Sequence, residues 1–271
     1  LYPHPYMFIR SDSKIEAVDL LTHDASRVLK RLGDGSRLSR GLAIDINDKR
    51  LYFGDGNGRL SKANLDGSDR KVILKNANVF KMAIDWIARR IFWTKNPFEE
   101  QIFVVNVNGK HERTVTTTHS RAWGIAVDPL AGYLFWTDNE SAGRVQRMNL
   151  AKNDIVTLAN NRYPSALSLD YTNKQLYWVS NSNRILSSDY DGETTTTVKS
   201  GSFNRLFLSI FEDSVYFQKR NVLYINEMNI TSGIISRSIK VSKARYRDLV
   251  IVHNSLQPMG KLQISYQYSW I

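Results

Sequence analysis

The stretch that decides the fold is Leu134–Leu150, LFWTDNESAGRVQRMNL. It opens with an apolar and aromatic run that ends in Trp136-Thr137-Asp138. A polar segment follows, and then a second alternating run. Short runs with period two, rich in aromatic and branched side chains, read as strands. The polar segment between them reads as a loop.

Working outward, the same pattern recurs. Related runs begin at MFIRSDSKIEAVDL (7–20), LYFGDGNGRLSKANL (51–65), IFWTKNPFEEQIFVVNV (91–107), LYWVSNSNRILSSDY (176–190) and VYFQKRNVLYINEM (215–228). The aromatic after the first apolar residue falls at Phe8, Tyr52, Phe92, Phe135, Tyr177 and Tyr216, at intervals of 44, 40, 43, 42 and 39 residues. A second landmark lies just upstream in four units and ends at Asp45, Asp85, Asp128 or Asp170. LFLSIF (206–211) and DLVIV (248–252) are its degenerate forms. Asp66-Gly67, Asn108-Gly109 and Asp191-Gly192 are hairpin signals.

Each unit therefore reads as four antiparallel strands, the period of a propeller blade. The fold class expected is all-β, a six-bladed β-propeller. The first unit lacks an upstream landmark and the last landmark lacks a unit. Residues 6–30 then supply three strands of one blade, and 248–253 return to supply its inner strand. Closure of this kind removes a free sheet edge.

In full form the motif is Tyr-Trp-Thr-Asp. Six such repeats, with G-[LI]-A-[IV]-D upstream, resemble the YWTD propellers of the low-density lipoprotein receptor family. Wnt co-receptors, nidogen and the epidermal growth factor precursor share that architecture. His253, Gln257 and Pro258 are similar to the family's exit from the propeller. The motif positions are Tyr52, Phe53, Asp55, Phe92, Trp93, Phe135, Trp136, Thr137, Asp138, Tyr177, Trp178, Tyr216 and Phe217. The aspartate is kept at Asp55 and Asp138 and replaced by Ser11, Lys95, Ser180 and Lys219 elsewhere. The resemblance implies one propeller over residues 1–260. It also leaves 261–271, KLQISYQYSWI, as a divergent tail where the family carries a Cys-rich module.

Composition bounds the function. The chain has 271 residues, 42% apolar and 23% charged, which suits a globular domain with a real core. It has no cysteine, which excludes disulfides and Cys-ligated zinc. No stretch is long and apolar enough for a membrane helix, and no leader pattern is visible at the start. Net charge is +11, which favours acidic partners.

Recurring at blade period, the aspartates lie around the ring, so they read as hydrogen-bonding braces and not as a converging catalytic set. GDGNGR (54–59) departs from a calcium loop. No hydrolase triad, HExxH or phosphate loop is present, and the five histidines are scattered. His111 and His119 flank one outer strand. The chain is expected to be no enzyme and to need no cofactor. A calcium-dependent lactonase-like propeller, the enzymatic alternative, needs Glu, Asn and Asp at the channel, which the inner strands do not offer. Nucleic acid is not expected, since no such motif accompanies the charge.

The outer-to-inner connections share one face with the second-to-third connections. They carry Arg37 and Arg40; Phe80 and Lys81; Arg121 and Trp123; Arg162 and Tyr163; Phe203 and Arg205; Arg245, Tyr246 and Arg247. Arginine with aromatics is the composition of interface hot spots, and loops on a rigid scaffold are where binding lives. A protein-binding face is expected there. Asn139-Glu140-Ser141 and Asn229-Ile230-Thr231 are glycosylation triplets on exposed turns. By resemblance, the chain is expected to be a fragment of the ectodomain of a single-pass endocytic or signalling receptor. Its partners would be protein ligands or that receptor's own acidic modules. Contact with a membrane would come only through the parent chain. A nidogen-like adhesion module is the alternative.

Overall fold

The computed structural model describes residues 5–11, 15–22, 27–28, 38–95, 100–118, 120–220, 222, 224–240 and 246–258. The strands form six four-stranded sheets, here blades I to VI. Blade I holds β1 (Tyr6–Ser11), β2 (Ile15–Asp19) and β3 (Arg27–Val28). Blade II holds β4 (Leu38–Asp45), β5 (Arg50–Asp55), β6 (Leu60–Asn64) and β7 (Lys71–Leu74). Blade III holds β8 (Lys81–Asp85), β9 (Arg90–Thr94), β10 (Gln101–Asn106) and β11 (Arg113–Thr117). Blade IV holds β12 (Ala122–Asp128), β13 (Tyr133–Asp138), β14 (Arg144–Asn149) and β15 (Ile155–Asn160). Blade V holds β16 (Pro164–Asp170), β17 (Gln175–Ser180), β18 (Arg184–Asp189) and β19 (Thr195–Ser200). Blade VI holds β20 (Ser209–Phe211), β21 (Ser214–Gln218), β22 (Tyr224–Asn229) and β23 (Ile235–Lys240).

The expected closure is present. β24 (Tyr246–Val252) pairs antiparallel with β1 and completes blade I as its inner strand. The inner strands β4, β8, β12, β16, β20 and β24 touch in circular order and line a central channel.

The motif owes its form to period-two alternation. Among the described residues, apolar side chains gather in six clusters, one at each junction between blades. In blade IV, Leu134 and Trp136 pack into the junction with blade III, while Phe135 between them packs into the junction with blade V. The other blades repeat this. Leu51 and Phe53, Ile91 and Trp93, Leu176 and Trp178, and Val215 and Phe217 face back; Tyr52, Phe92, Tyr177 and Tyr216 face forward. Trp93, Trp136 and Trp178 are fully buried, so each glues two blades.

Two smaller features complete the repeat. Thr137 Oγ1 accepts a hydrogen bond from the backbone N–H of Gly124 at 2.8 Å, where the β12–β13 register slips. A Cβ on Gly124 would meet Leu167 Cβ of the next inner strand at 2.8 Å, so only glycine allows that approach. The turn glycines Gly67, Gly109 and Gly192 all adopt positive φ, as the hairpin signals require.

Candidate protein-binding face

The aspartates at the ends of the inner strands lie on the face made by the tight turns. Each Oδ1 accepts backbone N–H groups two or three residues on: Asp48 for Asp45, Ile87 and Ala88 for Asp85, Leu130 and Ala131 for Asp128, Thr172 and Asn173 for Asp170. The second oxygen often reaches the next blade. Arg89 donates to Asp45 and Asp48, while Lys174 Nζ and Tyr190 Oη donate to Asp128 at 2.9 and 3.0 Å. Burial raises the Asp45 carboxyl above the ordinary carboxylate range, and its backbone hydrogen bond from Asp48 and the Arg89 charge pull the other way. Of the motif aspartates, Asp55 accepts from Asn57 N and Arg59 N at 3.0 Å and pairs with Arg59 and Arg70 at 2.8 Å. Asp138 is fully buried at the end of β13, opposite Ala122 and Arg144 in the ladder.

The channel is a cavity of about 170 Å³ lined mostly by residues of apolar type. The residues after β24 cover its turn-face end. Gln257 Nε2 donates to Ile44 O at 2.6 Å and its Oε1 accepts from Ile46 N at 2.7 Å. Trp86 meets Tyr171 edge-on at 5.5 Å and donates to Pro258 O at 3.4 Å. His253 caps the 3-10 turn Asn254–Leu256 through Ser255. Glutamine and proline in the exit sequence thus seal the ring.

At the other end, Lys81 departs from expectation. It is the first residue of β8, buried, and its Nζ lies 2.5 Å from Asp248 Oδ1 inside the channel. Lys81 is therefore a closure residue and not a cation of the loop face. The preceding connection is short, and the alternation of β8 turns this side chain inward. Asp248 also accepts from Leu42 N and Leu249 N at 3.1 Å. Beside it Arg10, fully buried, donates to Gly41 O and, at 2.6 Å, to Gly54 O. Burial raises the Asp248 carboxyl, and the Lys81 and Arg10 charges oppose that. Among the described residues Asp248 is the one carboxylate lining the channel, and no three His, Cys, Asp or Glu side chains converge.

The loop face brings five of its expected residues together: Phe80, Trp123, Arg162, Tyr163 and Arg205. Arg205 is half-buried, and its guanidinium lies 5.2 Å from the Trp123 ring centre and 5.7 Å from that of Tyr163. Trp123 Nε1 donates to Arg205 O at 3.1 Å, and its ring stands edge-on to Phe80 at 5.1 Å. Arg162, exposed, lies 5.7 Å from the Tyr163 ring. Arg205 Nη2 donates to Asn139 Oδ1 at 2.7 Å, and Asn139 Nδ2 donates to Pro164 O at 2.7 Å. Burial and nearby Arg220 lower the pKa of Arg205. Arg121, exposed, completes the rim, and its backbone carbonyl accepts from Asn139 N. Exposed Lys219 and Arg220 lie on the same face. Phe203 is buried at the junction of blades V and VI. Arg37 and Arg245 lie outside the described residues, as do the side chains of Arg40, Tyr246 and Arg247. His119 and the tail 261–271 also lie outside them, and His111 is exposed.

Asp248, Arg10 and the double use of Asn139 were not evident from sequence. For Asp248 the signal was a carboxylate at the head of the otherwise apolar run DLVIV (248–252).

These features define a class: a six-bladed propeller with charge pairs knitting one face and a cation–aromatic cluster open on the other. No family model matches the chain. It is 31% identical over 197 residues to low-density lipoprotein receptor-related protein 8 of Gallus gallus, covering 68% of this chain and 20% of that protein. The chain thus spans about a fifth of the length of this relative. Among solved structures, a propeller in the crystal structure of a nidogen/laminin complex superposes with a TM-score of 0.82 at 20% identity, over 91% of this chain and 98% of that one. TolB from Acinetobacter baumannii shares the fold at a TM-score of 0.73 and 12% identity, over 91% of this chain and 66% of that one. The chain is a YWTD β-propeller of the low-density lipoprotein receptor family.

Proposed function

We propose that the chain is an extracellular protein-binding propeller that performs no chemistry and binds an acidic protein surface on its loop face. The observation that carries this reading is the cluster of Trp123, Arg205 and Tyr163, flanked by exposed Arg121 and Arg162. Stacked guanidinium and indole groups lose little conformational freedom on binding, and they are typical interface anchors. The net charge of +11 would speed encounter with an anionic partner.

The partner favoured is an acidic, calcium-loaded ligand-binding module of the same receptor, so that docking displaces bound ligand during endocytosis. A signalling ligand would use the same face. Nidogen-like adhesion is the second reading, favoured by the superposition over nearly the whole nidogen propeller. It changes the partner and not the surface.

The test is affinity for an isolated acidic module as a function of salt. Binding should weaken steeply between low and high ionic strength, because exposed charges are screened within about 8 Å at physiological salt. A salt-independent affinity would sink the electrostatic reading.

A further inference from the structure

The two glycosylation triplets sit in different chemical settings. Asn229 ends β22, the third strand of blade VI. The equivalent strand ends in the other blades are Asp19, Asn64, Asn106, Asn149 and Asp189. In blades I, IV, V and VI the side-chain oxygen at this position caps the following turn. Asp19 accepts from Leu21 N and Thr22 N, Asn149 from Ala151 N and Lys152 N, Asp189 from Asp191 N and Glu193 N, and Asn229 from Ser232 N at 2.9 Å. Because aspartate does the work in two blades, the turn does not need an amide nitrogen. Asn229 Nδ2 can carry a substituent without loss of the cap.

The surroundings also leave room. Thr231 and Ser232 are exposed, and a Cβ on Gly233 would meet nothing within 4 Å. Ile234 beside them is 66% exposed, the most exposed large apolar side chain among the described residues. A sugar at Asn229 has an apolar neighbour to cover.

Asn139 is the opposite case. Both ends of its amide are engaged, Oδ1 with Arg205 and Nδ2 with Pro164 O, each at 2.7 Å. The side chain joins connections from blades IV, V and VI. A sugar on Nδ2 would compete with that clamp in the folded ring.

We propose that Asn229 carries the N-linked glycan of this propeller and that Asn139 stays unmodified as a structural clamp. This rests on the extracellular reading, which takes the chain through the secretory pathway. In the transfer, Nδ2 of Asn229 forms a bond to the anomeric carbon of a lipid-linked oligosaccharide pyrophosphate. The bond from that carbon to the pyrophosphate oxygen breaks, the lipid pyrophosphate leaves, and Nδ2 gives up one proton. The sugar then stands on the turn face, and the loop face remains bare for a protein partner.

The experiment is peptide mass mapping of the chain secreted from eukaryotic cells behind an added leader, before and after enzymatic deglycosylation. Wild type, Asn229→Gln and Asn139→Gln are compared. A fourth variant, Ile155→Thr, completes a control triplet at Asn153, exposed at the turn that precedes β15. The expected result is sugar on the Asn229 peptide, complete loss of the wild-type mass shift in Asn229→Gln, and an unchanged shift in Asn139→Gln. Sugar on Asn139 in folded secreted protein overturns the proposal, as does a bare Asn229 while Asn153 is filled. If Asn229 and Asn153 are both bare in protein that the added leader has carried through the secretory pathway, the proposal is overturned as well; because the leader supplies that route, this outcome leaves the extracellular reading standing.

Discussion

The two faces of the disc use the same residue types for different ends. On the turn face, charge is consumed internally. Arg89 holds Asp45 and Asp48, Arg90 holds Asp85 at 2.8 Å, Lys174 holds Asp128 at 2.9 Å, and Arg147 holds Asp191 at 2.5 Å. On the loop face, Arg205 stacks on aromatics, and Arg121 and Arg162 reach solvent. A cation becomes a brace where its own or an adjacent blade offers a carboxylate. Rings lie beside cations on both faces, as Arg147 lies 4.4 Å from the Tyr133 ring and Lys174 5.7 Å from that of Tyr190, so it is the carboxylate that makes a brace. Asp45, Asp85, Asp128 and Asp170, which end their inner strands, place such carboxylates on the turn face.

The comparison can be strained at several points, from large effects to small. Trp136→Ala empties the junction of blades III and IV and should cost about 3–5 kcal/mol in urea unfolding. A small loss would mean that the junctions are not where stability resides. Lys81→Met should cost about 3 kcal/mol at neutral pH, by leaving the buried Asp248 without its nearest cation. The pH dependence carries a definite sign. Removing Lys81 pushes the already raised Asp248 carboxyl further up. A carboxyl raised in the fold contributes stability below its unfolded value and loses it as pH rises through its folded value. The Lys81→Met defect should therefore shrink as pH falls toward 3.8, the unperturbed aspartate value. A defect constant with pH would contradict the pairing.

Smaller effects separate clamp from brace. Asn139→Ala removes two hydrogen bonds and should cost about 1–3 kcal/mol, with weaker binding because Arg205 loses its anchor. Lys174→Ala, whose side chain is 46% exposed, should cost under about 1 kcal/mol and leave binding unchanged. Binding loss in Lys174→Ala without binding loss in Asn139→Ala would reverse the assignment of the faces.

Much of this was readable in the sequence, and the reason is the repeat. Period-two alternation at Leu134, Phe135 and Trp136, recurring every forty or so residues, encodes both the strands and the two junctions that each strand serves. The chain-end closure followed from the unpaired landmark at 248–252. The site was legible only in part. Lys81 looked like a loop cation because its partner Asp248 lies 167 residues away, and only the folded ring joins them. Asn139 looked like a free acceptor because its partners Pro164 and Arg205 are 25 and 66 residues distant. Trp123 and Arg205 were both singled out, but their stacking is a product of blade geometry and not of sequence spacing.

The central claim is that the loop face binds an acidic partner through local contacts and not through overall charge. Two double variants with the same change in net charge test it. Arg121→Glu with Arg162→Glu alters the loop face, and Lys49→Glu with Lys152→Glu alters exposed positions on the turn face. Affinity for one acidic calcium-loaded module is measured for each at fixed salt. The loop-face pair should weaken binding at least about tenfold, roughly 1.4 kcal/mol or more, and the turn-face pair should stay within about twofold of wild type. Equal losses from the two pairs would contradict the account.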